Sequence, residues 1–233
     1  MSIASDASPN EPSAGVLLLD LDGTLIDSSE LILASYRHTM REHLGEVPPD
    51  SEWLEGMGKT LRVQLRRFAS SEEEAEAMVE TYREHNHRVH DRLVRTFGEV
   101  SETLDGLHRR GVPMGIVTSK ARRGVEMGME ACGLDPGWFR TVVTADDVER
   151  PKPHPEPVLL ALRNMESGAG GRPDPAATTF VGDSIHDLRA GRAAGVKTAA
   201  ALWGPYGREE LGPGEPDHWL ESVRELEGLV HHP

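Results

Sequence analysis

The sequence predicts an α/β protein: a doubly wound parallel sheet with a helical insertion after its first strand. Three observations carry this. Short, continuous apolar runs recur along the chain, as strands buried on both faces require. Amphipathic helical stretches separate most of these runs, the pattern of parallel strands joined by crossover helices. Between the first and second runs lies a helical stretch of about 65–70 residues with no convincing strand, far beyond ordinary loop length.

Val16-Leu17-Leu18-Leu19 is the first strand and ends in Asp20. In the helical stretch, Ser71-Glu72-Glu73-Glu74 is a capping box, and its acidic run reads as a solvated helix face. Glu99 to Arg110 places Val100, Leu104 and Leu107 on one stripe and stops at Gly111. Met114–Val117 is the second strand and Thr141–Val143 the third. Gly168 to Pro175 is a short flexible link before the fourth, Thr179–Val181. Ser184 caps a helix that stops at Gly195, and Lys197 to Leu202 is the fifth strand. Gly204 to Pro216 reads as loop and Ser222 to Val230 as a last helix.

The 233 residues suit one large domain or one domain with an insertion. Hydrophobic residues at 37% and 24 Gly exclude wholesale disorder. No apolar run approaches the ~18–20 residues of a membrane span. Residues 1–14 read as a flexible arm, without the basic start or apolar stretch of a signal peptide. A formal charge of −14 argues against nucleic acid or an anionic membrane as partner. Small anionic substrates stay open, because a local cationic pocket overrides the global field. The single Cys132 cannot form an intramolecular disulfide, which suits a reducing, cytoplasmic setting. Beside Gly133 it reads as a small buried residue near a helix end, not a catalytic thiol.

The chemistry starts at Asp20-Leu21-Asp22-Gly23-Thr24. Strand periodicity puts residues i and i+2 on one side, so both carboxylates emerge together at the strand's end. Adjacent carboxylates repel unless a cation sits between them or one is protonated. The pair suits a metal-assisted nucleophile with a general acid/base beside it. A second acidic group, Asp183 and Asp187, follows another apolar strand on one face of a starting helix. Oxygen-only ligands select a hard cation, Mg²⁺ first. Asp187 either binds it, directly or through water, or only caps and orients. Thr118-Ser119-Lys120 follows a strand where hydroxyls and N–H groups hold phosphate oxygens. Pro151-Lys152-Pro153 aims an ammonium from a stiff backbone.

Asp-x-Asp-Gly-Thr, a strand-end Thr, Lys-Pro-x-Pro and Gly-Asp-x-x-x-Asp occur in this order, each after a predicted strand. In this the chain resembles the haloacid dehalogenase superfamily from Val16 to about Leu229, and its phosphoglycolate phosphatase branch most. The resemblance implies an α-helical cap at 28–95, a core of 15–27 and 96–233, and a return to that core near Phe97-Gly98-Glu99-Val100. It also implies a strand order of 5-4-1-2-3, which puts Asp20 beside Asp183 at the topological switch point. By position it implies Asp20 as nucleophile and Asp22 as acid/base. Mg²⁺ would be held by Asp20, the Asp22 carbonyl and Asp183, with phosphoryl oxygens on Thr118, Ser119 and Lys152. The expected reaction is Mg²⁺-dependent hydrolysis of a small phosphomonoester, 2-phosphoglycolate first, by a monomer or homodimer. Inorganic pyrophosphate hydrolysis and β-phosphoglucomutase-like transfer are alternatives. A non-catalytic phospho-ligand module is disfavoured by the four intact motifs.

Gly56-Met57-Gly58-Lys59-Thr60 ends like a P-loop, but Trp53 stands where the pattern needs Gly. By resemblance it is a cap loop, whose Lys59 and Arg62 would reach a substrate's non-reacting anion. His85, His87 and His90 lack a metal-site pattern and read as a solvated helix face. His186 is assigned no role.

Overall fold

The computed structural model describes residues 15–166 and 173–230; the arm and most of the Gly168–Pro175 link lie outside them. Strand β1, Val16–Leu19, is buried throughout. Its side chains alternate between two cores, because successive residues of a strand face opposite sides. Leu17 and Leu19 join one core, Val16 and Leu18 the other.

The two-residue strand β2, Ile26–Asp27, leads into α1, Ser29–Leu44, then α2, Asp50–Leu54, α3, Leu61–Leu65, and α4, Glu72–Leu93. β3, Arg95–Thr96, pairs antiparallel with β2, so the insertion leaves and returns through one short ribbon. The insertion has its own core of Tyr36, Met40, Trp53, Leu65, Met78, Val79 and Tyr82. Ring centroids there lie 4.8 Å apart for Tyr36–Trp53 and 5.7 Å for Trp53–Tyr82. Ser71 accepts the Glu74 N–H at 3.1 Å as expected, but the Glu74 carboxylate reaches back to Ser70.

The chain then runs α5, Val100–Arg109; β4, Met114–Val117; α6, Arg122–Cys132; β5, Phe139–Val143; and α7, Glu156–Met165. It closes with β6, Thr178–Gly182; α8, Ile185–Ala194; β7, Lys197–Ala201; α9, Arg208–Leu211; and β8, His218–Leu220. The six-stranded sheet has the order β5-β4-β1-β6-β7-β8, all parallel. Over the five expected strands this is the implied order. Leu104, Leu107, Val125 and Met129 of α5 and α6 cover one face; Val158, Leu162 and Ala190 of α7 and α8 cover the other.

Three expectations near the C-terminal end are corrected. The Gly204–Pro216 loop contains α9 and a 3₁₀ turn. β8 was not foreseen: three residues carry no periodicity, and their strand state comes from pairing with β7. The expected last helix is 3₁₀ over Val223–Leu229. Its apolar residues, Val223, Leu226 and Leu229, recur every third position and so line one side of a three-residue turn. Cys132 is buried next to its C-cap Gly133, as expected.

Candidate active site

Parallel strands release their C-terminal ends on one edge of the sheet, and the reactive residues collect there. Asp20 leaves β1, Thr118 leaves β4, and Asp183 leaves β6 beside it. Gly23 turns the chain back at φ +81°, and a Cβ there would stand 2.2 Å from Asp183 Oδ2. Gly204 abuts the same side chain from the far side. The two glycines cradle the Asp183 carboxylate, whose Oδ1 accepts Thr24 Oγ1–H at 3.1 Å. Trp203 Nε1–H donates to the Thr24 carbonyl at 2.8 Å and pins this turn.

Lys152 is buried among the carboxylates. Its Nζ lies 2.5 Å from Asp187 Oδ1 and 3.0 Å from Asp20 Oδ1, and donates to the Val117 carbonyl at 3.2 Å. The other oxygen of Asp187 accepts Ser184 N–H at 3.0 Å and Ser184 Oγ–H at 2.5 Å, a capping box for α8. Both Asp187 oxygens are thus engaged by protein donors. Asp20 Oδ1 faces the Lys152 ammonium at 3.0 Å and has no other partner among the described residues.

Among the described residues, Asp20, Asp183 and Asp187 form the one such acidic group, one oxygen from each lying within 4.8 Å of the others. Three buried carboxylates face one ammonium. Burial pushes the Asp20 carboxyl up to about 7; Lys152 opposes this and Asp187 adds to it. Burial also drives Asp183 well above the usual carboxylate range, with Asp187 and Asp20 adding repulsion. Attraction to the carboxylates holds Lys152 protonated against its burial. An all-oxygen, over-charged cluster fits a hard divalent cation.

Asp22 stands apart from this cluster. Its Oδ1 accepts Ser28 Oγ–H and Lys120 Nζ–H, both at 2.6 Å. Ser28 and Lys120 were not foreseen as partners. Lys120 reaches Asp22 across α6, where Gly124 leaves room: a Cβ there would meet Lys120 Cε at 2.9 Å. Nothing in the periodicity of Thr118-Ser119-Lys120 announces that reach.

A cavity of about 790 Å³ opens over Asp20, Asp22, Thr118 and Asp183 and is roofed by the insertion. Lys59 lines it. Arg62 also borders it, but its guanidinium pairs with Glu72 at 3.2 Å and Glu76 at 2.6 Å. Those carboxylates compete for the charge expected to meet substrate. The Ser119 hydroxyl, expected on a phosphate oxygen, donates to the Gly58 carbonyl at 2.7 Å and ties core to insertion. Tyr206 OH makes a second tie, to the Leu54 carbonyl at 2.5 Å. Gly58, at φ +86°, packs against Ser184 and His186 where a Cβ would collide. His186 is buried beneath it. Among the described residues, His85, His87 and His90 form no metal group; His85 stacks on His38 with centroids 4.3 Å apart. His90 is buried against Asp91, so that part of the face is not solvated. Its position on α4, turned toward the core beside Val89, was not legible from spacing alone.

A family model described as haloacid dehalogenase-like hydrolase matches residues 17–201. A pyrophosphatase PpaX of Anoxybacillus flavithermus is 41% identical over 214 residues, 92% of this chain and 95% of its own. A pyrophosphatase PpaX of Bacillus velezensis is 42% identical over 210 residues, 90% and 93% of the two chains. The fold superposes on a haloacid dehalogenase-like hydrolase of Bacteroides fragilis with TM-score 0.82 at 24% identity, over 91% of this chain and 99% of that one. It superposes on a predicted phosphoglycolate phosphatase of Haemophilus somnus with TM-score 0.81 at 21% identity, over 92% and 97%. The chain belongs to the haloacid dehalogenase-like hydrolase family and is a phosphatase of that family.

Proposed function

We propose that this phosphatase uses Mg²⁺ and cleaves a small phosphorylated metabolite through an aspartyl phosphate on Asp20. The observation that carries it is Asp20 at the strand end, buried, with Lys152 3.0 Å away as the only partner of one oxygen among the described residues. Asp20 attacks phosphorus, and the bond to the leaving oxygen breaks. Asp22, outside the acidic cluster, protonates that oxygen and later takes a proton from the water that hydrolyses the aspartyl phosphate. Lys152 and Thr118 hold the phosphoryl oxygens, and Asp187 holds Lys152 in place. Asp20, Asp183 and the Asp22 carbonyl would hold Mg²⁺, whose charge would let two anions approach. The insertion, residues 28–95, acts as a cap that excludes bulk water, with Lys59 facing the substrate.

Inorganic pyrophosphate is the substrate supported by relatives of about 40% identity over nearly the whole chain. 2-Phosphoglycolate, the first expectation from the motifs, is the second arm of the test. No described helix is long and apolar enough to cross a membrane, and a cytoplasmic monomer or homodimer is the setting we propose. The test is phosphate release from pyrophosphate, 2-phosphoglycolate and other small esters, with Mg²⁺ and with chelator. Release should need Mg²⁺ and fall at least about 10³-fold in Asp20→Asn. Activity that survives that substitution overturns the mechanism.

A further inference from the structure

Arg62 is shared by two exposed carboxylates, Glu72 and Glu76, and a second set of cations lines the same cavity. Arg83 and His87 of α4 are four residues apart on one helix face. α4 packs against α6, whose first turn carries Arg123, and Lys120 precedes that turn. All four side chains line the cavity that holds Asp20 and Asp22. We propose that Arg83, His87 and Arg123, backed by Lys120, form a subsite for an anionic leaving group.

This rests on the phosphatase reading, in which Asp22 is the acid. The acid marks the side of phosphorus from which the leaving group departs. Lys120 Nζ sits 2.6 Å from Asp22 Oδ1, so the cation cluster begins on that side. Lys120 is committed to Asp22; the two arginines are loosely held. Arg83 lies 3.3 Å from Glu80 and Arg123 lies 3.7 Å from Glu126, each an exposed pair within its own helix. Such pairs are weak and yield to a better acceptor. The clustering shows in the imidazole they surround. Partial burial, then Arg123, His90, Arg83 and Lys120, depress His87 below the usual histidine value. Uncharged, it still has a ring N–H to donate.

In a chain of net charge −14, this corner gathers three cations and an imidazole, and an anion that displaces the weak Glu80 and Glu126 pairs meets both guanidiniums. The second phosphate of pyrophosphate and the carboxylate of 2-phosphoglycolate share the required chemistry; an uncharged alcohol does not. On cleavage of pyrophosphate, the electron pair of the bridging P–O bond goes to the bridging oxygen. That oxygen takes the Asp22 proton and leaves as orthophosphate. The subsite joins α4 of the insertion to α6 of the core, so an anionic leaving group also favours their approach.

The experiment compares wild type, Arg123→Ala, Arg123→Lys and His87→Ala. Turnover is measured on pyrophosphate, 2-phosphoglycolate and p-nitrophenyl phosphate, whose leaving group carries no fixed anion. Calorimetry with Mg²⁺ measures binding of methylenediphosphonate and of orthophosphate. Arg123→Ala should lower kcat/KM for pyrophosphate about tenfold or more and weaken methylenediphosphonate to match. p-Nitrophenyl phosphate and orthophosphate should change less than about threefold. Arg123→Lys should recover most of the loss, because charge is what the subsite supplies. A loss on 2-phosphoglycolate as well extends the subsite to carboxylates. Equal losses on all substrates, or none on the anionic ones, overturn the subsite. Wild type that cleaves nothing refutes the phosphatase reading instead. In that case, equal methylenediphosphonate binding by wild type and Arg123→Ala overturns the subsite independently.

Discussion

Replacing Asp187 separates two tasks that the motif alone leaves joined, holding a cation and holding Lys152. The side chain is fully buried, with Lys152 Nζ at 2.5 Å and two Ser184 donors on its other oxygen. Asp187→Asn leaves an acceptor for Ser184 but removes the charge facing Lys152. Breaking a buried ion pair on one side costs about 3–5 kcal/mol when the partner is left unpaired; here Lys152 keeps Asp20, and Asp20 and Asp183 lose the repulsion of Asp187, so the cost falls to about 1–3 kcal/mol. For a chain of this size that is a fall in Tm of about 2–12 °C. Asp187→Ala also loses the helix cap, a further ~1 kcal/mol. In both variants Lys152 retains Asp20 at 3.0 Å and the Val117 carbonyl at 3.2 Å, so it shifts toward the nucleophile. A displacement of that kind lowers kcat about 100-fold. Thermal melts, initial rates and a Mg²⁺ titration read the three effects. Mg²⁺ affinity should fall at least about tenfold further in Asp183→Asn than in Asp187→Asn, since Asp187 acts through Lys152. An unshifted melt, or equal Mg²⁺ losses in the two variants, refutes the reasoning.

The crowded carboxylates also set a pH dependence. Asp20 holds its proton in the fold up to about pH 7, while the unfolded chain releases it near the ordinary carboxylate value of 3.8. Asp183 is shifted the same way. Between those limits the native state binds more protons than the unfolded one, so this contribution to stability falls as pH rises. A divalent cation removes the repulsion, so Mg²⁺ at about 100 times its Kd should raise Tm by roughly 5–10 °C at pH 7.5. At pH 5, where Asp20 keeps its proton, the rise should be clearly smaller; an equal rise argues against these ligands. The ties between insertion and core give another expectation. Tyr206→Phe and Ser119→Ala each remove one hydrogen bond to a carbonyl of the insertion, about 1 kcal/mol apiece. Steady-state kinetics should show KM raised about fivefold with kcat within about twofold. A fall in kcat alone would place either hydroxyl in the chemistry.

How much was legible differs by element, for physical reasons. Val16–Leu19 and the Thr179–Val181 part of β6 announce themselves, because a strand buried on both faces favours short runs of apolar and β-branched residues. Asp20, Asp22 and Asp183 are equally plain, since carboxylates straight after such strands have one reason to be there. The parallel core, the helical insertion and the carboxylates at the strand ends were thus legible from local pattern, whereas the meeting of Asp20 with Asp183 was implied only by family resemblance. Partners were not legible. Asp22 meets Lys120 across 98 positions of sequence and Lys152 meets Asp187 across 35, neither of which any local period encodes. Arg62 and Arg123 look alike in sequence. Glu72 and Glu76 draw the first away from substrate, while Arg123 keeps only its exposed Glu126. β8 and the closing 3₁₀ turn exist because β7 and the core offer them a surface. Periodicity reports which side of an element is buried; what that side meets depends on packing between elements far apart in the chain.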